Sequence, residues 1–485
     1  MTPPRCMSTQ HPDNVTLPFF AQNSVLSGDD EVQEAFYVFS HLGIKEQMWD
    51  SEGKEVDNHV VKKLLTKYET FFQQKQLGKD FRLTLRIPNP AVEKNEAKIV
   101  SETLESIPRS FDTAKSFGAS VAPIFEVILP MTRDAREIER VHDYYKTYVT
   151  GKQHQNVHDV KIKDWIGEFK PDAISVIPLV EDKQSLLGIK NIVGPYIKNK
   201  KLEQQRVFLA RSDPALNYGM VSAVLLSKYA LAELEELQRQ SSVEIYPIIG
   251  VGSVPFRGNF SPDNINCLQG YPSVQTFTVQ SAFKFDHPVE KVRDAVDKIN
   301  DTKRGASVAV DKKKVLDIVD RYSDAYISEL REVIPVLSTI SKHIPKRRAR
   351  KLHIGLFGYS RGVGEFQLPR AITFCASLYS AGIPPELLGL SALTEKDMSF
   401  LDSGLYKNMQ GDMKAALQYT NMEAVKKFAP SLEKNVRGLL QKFDVSINKE
   451  HEKITTSVVD ALAKEQHAEL HDNILRAASV RKFLG

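Results

Sequence analysis

The chain has 485 residues, of which 42% are hydrophobic and 26% charged, with 25 Gly and 24 Pro, an ordinary make-up for a folded protein that excludes disordered, collagen-like and coiled-coil classes. Its charge is 65 − 61 = +4, too small an excess to mark a nucleic-acid or membrane-surface protein. Three scattered cysteines, Cys6, Cys267 and Cys375, exclude a disulfide framework and a cysteine zinc cluster. The longest apolar stretches, such as residues 122–131, reach about half of a membrane span. The N-terminus, with Arg5, His11 and Asp13, shows no signal peptide. A cytoplasmic enzyme is expected, with no membrane and no nucleic-acid partner.

Short apolar or β-branched runs recur along the chain, at residues 36–41, 81–87, 123–130, 173–181, 207–211, 243–250, 275–281 and 352–358. Several are nearly all apolar, as strands buried on both faces of a parallel sheet are. Helix-length segments separate them, for example 95–116, 133–149, 218–240 and 288–300. Eight strands alternating with helices predict an α/β fold, a (β/α)8 TIM-type barrel with additional helices. The pattern turns helical after the eighth run. The expected organisation is a barrel with an N-terminal active-site segment over residues 1–383, and a helical C-terminal region over 384–485 packed on it.

In such a barrel the chemistry stands on loops that follow the strand C-termini. Following each run to its end gives Arg86 after the second, Glu181 after the fourth, and Arg211-Ser212-Asp213 after the fifth. The sixth is followed by Gly250-Val251-Gly252 and Arg257-Gly258, and the eighth by Ser360-Arg361, with Arg370 close behind. Glu181 and Asp213 on neighbouring strands together offer oxygen ligands to one Mg2+ ion; taken singly, Asp213 reads rather as a cap of the following helix and Glu181 as a solvated loop acid. Arg86, Arg211, Arg257, Arg361 and Arg370 would make an anion site, since the guanidinium fork matches phosphate and carboxylate. Any one of them alone could be a surface arginine lying over apolar neighbours.

The glycine pair at 250 and 252 lacks the third glycine and opening helix of a dinucleotide fingerprint, and no Gly-x-x-x-x-Gly-Lys-Ser/Thr loop is present, so no nucleotide is expected. His11 lies in the turn composition Pro12-Asp13-Asn14 and is either a turn residue or a general acid–base group. The basic run at 346–351 reads as a solvated loop at the barrel bottom.

In their order, these elements resemble phosphoenolpyruvate carboxylase, in the short form of archaea and some bacteria. Residues 7–14 resemble its N-terminal signature. Pro178 to Glu181 resembles Pro-Leu-Phe-Glu, Arg211 to Gly219 its Ser-Asp motif, and Ser360-Arg361 and Leu368 to Thr373 its Ser-Arg and Leu-Arg-Ala-Ile elements. The resemblance implies carboxylation of phosphoenolpyruvate by bicarbonate to oxaloacetate and phosphate, with Mg2+ or Mn2+ and without biotin. On that pattern Glu181 and Asp213 hold the metal, His11 handles the proton of a carboxyphosphate intermediate, and Arg86, Arg361 and Arg370 bind the phosphate and carboxylate groups. Arg257 matches the second Arg-Gly of the long enzymes' glycine loop.

The chain departs from the long enzymes in reading Ile249-Gly250-Val251-Gly252-Ser253 for their His-Gly-Arg-Gly-Gly, and in having Leu216 where they carry lysine; Arg211 is the candidate replacement. The resemblance further implies a homotetramer under allosteric inhibition by aspartate. Two other readings stand beside it, a different magnesium-dependent barrel enzyme and a catalytically dead barrel serving as a scaffold.

Overall fold

The computed structural model describes residues 2–52, 56–95, 97–349, 362–363 and 366–485. Eight parallel strands close into a barrel: β1 (Cys6–Ser8), β2 (Glu46–Asp50), β3 (Arg82–Arg86), β4 (Glu126–Leu129), β5 (Ser175–Val180), β6 (Gln204–Ala210), β7 (Glu244–Gly250) and β8 (Thr276–Val279). Closure is made by β1, which pairs Met7 with Thr278 on one side and Ser8 with Gln47 on the other. The longest ladder runs from Gln204 opposite Glu244 to Ala210 opposite Gly250.

Six of the expected runs coincide with strands β3 to β8, and two do not. Residues 36–41 fall mostly in helix α1 (Asp29–Ser40), whose buried Val32, Ala35, Val38 and Phe39 repeat at helical spacing. The aromatic and β-branched side chains there imitate a strand only over a short window. The run at 352–358 lies outside the described residues, and the eight places in the barrel are filled without it. In their stead stand β1, only three residues long, and β2, which reads Glu-Gln-Met-Trp-Asp. Neither carries a run of apolar residues: in β2 the inward-facing Glu46 and Asp50 pair with Arg206 and Arg86, and β1 is too short to register as a run.

That interior is layered. Near the strand N-termini, Arg206 donates to both oxygens of Glu46 at 2.7 and 2.9 Å and to Glu126 at 3.0 Å, and Thr84 Oγ1 donates to Glu46 at 2.6 Å. Burial opposes the charge on Glu46, yet Arg206 and the hydrogen bonds hold its carboxyl below the usual range. Above this layer Met7, Met48, Ile128, Ile177, Phe208 and Ile248 form an apolar plug. The mouth of the barrel lies above the plug.

Outside the barrel run the crossover helices, including α2 (Ile99–Ser116), α3 (Ala135–Tyr144), α4 (Ser212–Tyr218), α5 (Met220–Ser241) and α6 (Val289–Asp301). The 29-residue α7 (Lys312–Ile340) follows, then α8 (Ala371–Ser380), and the chain stays helical to α9 (Lys449–Ala463) and α10 (His467–Arg481). One apolar cluster runs from Val32 on α1 through α5 and α7 to Val458 and Phe483, so the late helices share a core with the barrel's outer layer.

Candidate active site

The N-terminal segment crosses the barrel mouth as a continuation of β1. Thr9 N–H donates to Val279 O at 3.0 Å, and Gln10 Oε1 accepts from Asp50 N–H at 3.0 Å. His11 follows, its Nδ1 2.8 Å from Thr9 Oγ1, at the edge of the mouth cavity. The expected turn is present, closed by Asp13 N–H to His11 O at 3.0 Å. It is also anchored from below. Buried Lys284 spends its three donors on Ser8 Oγ, Thr9 O and Glu34 Oε1 at 2.7 to 2.9 Å. Asp13 accepts from Ala282 N–H at 2.7 Å, and burial pushes its carboxyl up against the opposing pull of Arg257.

Two residues of the basic run, Arg347 and Arg348, belong to this anchor, which corrects the expectation of a solvated bottom loop for them, while Lys346 is exposed. Arg348 is buried between Glu31 at 3.0 Å and Glu34 at 2.6 Å, and Arg347 donates to Asn14 O and Val15 O. A desolvated cation needs such partners, and their own carboxylates lie far back in sequence on α1. Arg350 and Lys351 lie outside the described residues.

At the end of β3, Arg86 makes a two-bond fork with Asp50, Nε to Oδ1 and Nη2 to Oδ2 both at 2.7 Å, and its Nη2 is 3.1 Å from Glu52. Burial alone would ease the proton off, but Asp50, Glu52 and Glu181 hold the guanidinium charged. Glu181, just beyond β5, accepts from Met131 N–H at 2.9 Å. Asp213 lies inside the first turn of α4, whose cap residue is Arg211 without a side-chain cap bond. The capping role considered for Asp213 is therefore not the one it takes. Strands β5 and β6, which deliver these two carboxylates, are neighbours in the barrel, and both side chains line the same mouth.

Arg257 is buried and fully engaged, donating to Ser212 Oγ at 3.0 Å, Gln280 Oε1 at 2.6 Å and Gly485 O at 2.9 Å, with Asp13 Oδ2 3.6 Å away. Gly252 lies against it, since a Cβ there would come within 2.9 Å of Arg257 Nη1 and Gln280 Oε1. Arg370 caps α8 at the rim of the mouth. Arg211 lines the mouth and also a small cavity behind it, where Tyr271, Tyr406 and Asp412 favour its charge. Its Nε and Nη2 are buried without a hydrogen-bond partner among the described residues. Arg361 lies outside the described residues. Leu216 and Ile249, at the positions where the long enzymes carry lysine and histidine, are buried in the core.

Sequence reasoning missed Asp50 and Glu52, and they change the charge count. Among the described residues the mouth presents Arg86, Arg211, Arg257 and Arg370 against Asp50, Glu52, Glu181 and Asp213, two acids more than expected; Arg361 stands outside that count. Asp50 and Glu52 are committed to Arg86. Glu181 and Asp213 are then the carboxylates suited to a cation, and their hard oxygen donors fit an ion that takes one or two carboxylates and fills its shell with water and substrate oxygens. Among the described residues no group of three or more His, Cys, Asp or Glu forms a protein cage for a metal.

A mouth of this kind has close relatives. The model of the phosphoenolpyruvate carboxylase family matches residues 3–485. The chain belongs to that family of carboxy-lyases. It is 50% identical over 489 residues to the phosphoenolpyruvate carboxylase of Methanothermobacter thermautotrophicus, covering 100% of both chains. The enzyme of Halobacterium salinarum is 47% identical with 99% of each chain covered, and that of Pyrococcus abyssi 51% identical over 89% of this chain and 94% of its own. The family assignment thus spans the barrel and the late helices alike, and the elements that carried the resemblance in the sequence include those that meet at this mouth.

Proposed function

We propose that the chain catalyses the Mg2+-dependent carboxylation of phosphoenolpyruvate by bicarbonate, giving oxaloacetate and phosphate, with no biotin or nucleotide. The observation that carries this reading is the convergence of Glu181 and Asp213, from adjacent strands, with Arg86, Arg370 and His11 in one mouth.

The charge balance supports a metal. Phosphoenolpyruvate carries roughly −3 near neutral pH, taking its phosphate as about −2, and bicarbonate adds −1. The described arginines and acids of the mouth offset one another and do not by themselves neutralise that load, so a divalent ion held by Glu181 and Asp213 would make up part of the difference. When bound, Mg2+ supplies charge stabilisation for substrate oxygens. Mn2+ fits the same donors.

The protein's own groups account for the rest. Arg86, held rigid by Asp50, and Arg370 bind the phosphate and carboxylate groups, with Arg361 and Arg211 assigned to the same task by the family pattern. A bicarbonate oxygen attacks phosphorus, the bond from phosphorus to the enol oxygen breaks, and carboxyphosphate and the enolate of pyruvate result. His11 takes the carboxyphosphate proton as CO2 and phosphate separate, and C3 of the enolate then attacks CO2. Fixed cations stabilise charge as it moves between enolate and phosphate without having to reorganise. Arg257 contributes by fixing the glycine loop against the N-terminal segment. The family reading also carries a cytoplasmic homotetramer inhibited by aspartate.

Coupling the purified protein to malate dehydrogenase and following NADH tests the proposal. Loss of NADH that requires phosphoenolpyruvate, bicarbonate and Mg2+ together is the expected result. Phosphate release without oxaloacetate would show that the enolate forms but escapes carboxylation, and silence in both would overturn the assignment.

A further inference from the structure

At the opposite end of the barrel, where the strands begin, lies a second cavity of about 630 Å3. The segments that precede β1, β2, β3 and β8, four consecutive members of the closed sheet, converge there with the end of α6. Its lining holds seven cationic side chains and two carboxylates, Asp80 and Asp301, a local balance of 7 − 2 = +5 in a chain whose whole balance is 65 − 61 = +4. The rest of the molecule is therefore slightly acidic, and the excess positive charge is gathered at this one face.

Three of the cations are arginines held in place by aromatic faces. Arg5 lies over Phe277, Arg82 over Phe125 and Arg304 over Tyr246, each with the guanidinium carbon 5.3 to 5.7 Å from the ring centroid. Arg5 is further fixed by bonds to Val274 O at 2.6 Å and Gln275 O at 2.9 Å, while its buried Nε has no partner among the described residues. Burial and the like charge of Arg304 pull Arg5 below its usual range, so two guanidiniums repel each other across this site. Glu126 offsets Arg82 at 3.4 Å, and Glu235 and Glu244 partly offset Arg304. Of the two lining carboxylates, Asp80 is occupied in accepting Gln76 N–H at 2.8 Å.

The remaining cations, Lys45, Lys75, Lys79 and Lys303, are exposed at the rim, with no ion-pair partner among the described residues. Rigid guanidinium forks at the base of a concave pocket and mobile ammonium groups at its edge suit a small multivalent oxyanion. The volume lies within the roughly 300–1,000 Å3 range of small-molecule sites. Like charges in a concave wall also focus the field on an entering anion.

We propose that this cavity is a second anion site, separate from the barrel mouth, that takes a small phosphorylated or polycarboxylate molecule.

Titration calorimetry of the full chain with inorganic pyrophosphate tests this, using Lys75→Gln/Lys79→Gln/Lys303→Gln at the rim and Arg86→Gln at the mouth. The rim lysines are exposed, so the triple variant should keep its circular dichroism spectrum and its turnover. One equivalent of pyrophosphate should bind to wild type and to Arg86→Gln, and bind about tenfold more weakly to the triple variant as three of the seven cations are lost. Equal affinity in wild type and triple variant would overturn the proposal, as would binding abolished by Arg86→Gln alone. Sedimentation velocity run alongside should show one oligomeric state in all three proteins. A change of assembly confined to the triple variant would instead make the face an interface between copies and overturn the small-anion reading.

Discussion

Arg86 and Asp50 meet as a two-bond fork, both contacts at 2.7 Å, with Asp50 wholly buried at the end of one strand and Arg86 at the end of the next. The pairing fixes the plane of the guanidinium and leaves the fork no freedom to reorganise when substrate arrives. Replacing Asp50 with Ala should leave Arg86 to wander, and misplacement of a positioning group by about 1 Å costs on the order of 100-fold in rate. Steady-state kinetics should show kcat/KM for phosphoenolpyruvate falling by about that factor, with Asp50→Asn falling less. A variant with unchanged kcat/KM would show that Asp50 does not position Arg86 for the reaction and that Glu52 alone suffices.

Asp213 makes a separate prediction because it is not a helix cap. Asp213→Asn removes one of two carboxylates offered to the cation, and should raise the Mg2+ concentration needed for half-maximal activity by about tenfold or more. The thermal midpoint should stay within about 2 °C, as no cap is lost. Activity that saturates at the wild-type Mg2+ concentration would remove Asp213 from the metal site.

Gly485 is packed too closely for any other residue. A Cβ at this position would lie 2.1 Å from Ile372 O and 2.6 Å from Ala376 N, both backbone atoms of α8. Its main-chain oxygen accepts from Arg257, and the adjoining Leu484 N–H donates to Asp13 O at 2.7 Å. Gly485→Ala should therefore displace this clasp and loosen the glycine loop and the His11 segment together. Turnover should fall at least tenfold, on the order of one lost charge-assisted bond, with a smaller loss of thermal stability. Normal turnover would mean that Arg257 keeps its place without Gly485.

These residues also mark what the sequence made legible. Strands β3 to β8 carry apolar or β-branched runs readable as strands, several of them nearly all apolar, and the mouth residues Arg86, Glu181, Asp213 and Arg257 follow from their ends. Asp50 was hidden because β2 carries Glu46, Gln47 and Asp50 among its five residues, and its period-two hydrophobic signal is absent. Its polarity is explained only by Arg206 and Arg86, which reach it from β6 and β3. Helix α1 was misread for the converse reason, since Phe36, Val38 and Phe39 are strand-like residues that pack at helical spacing. The burial of Arg347 and Arg348 was equally invisible, because their partners, Asn14 and Val15 for the one and Glu31 and Glu34 for the other, stand some three hundred residues earlier. Sequence reports periodicity and composition well, and long-range ion pairing not at all.

Glu386 gives the pH prediction. Its Oε1 accepts from Phe256 N–H at 2.5 Å and Tyr379 O–H at 2.9 Å, which ties the glycine loop to the late helices, and its buried Oε2 has no partner among the described residues. Burial pushes this carboxyl up to about 7, well above its value in an unfolded chain. The folded state thus binds the proton more tightly than the unfolded state. The corresponding stability is fully present below about pH 4.5, the unfolded value, and is lost as pH rises through about 7. A shift of this size is worth about 3 kcal/mol at most. Denaturant unfolding at pH 5 and pH 8 should show Glu386→Gln gaining on wild type by a part of that amount at the higher pH, since the amide cannot ionise. Asp286, also pushed up to about 7, and Asp412, to about 6, would keep part of the pH dependence in the variant. An identical stability difference between the two proteins at both pH values would mean that Glu386 does not exchange its proton over this range.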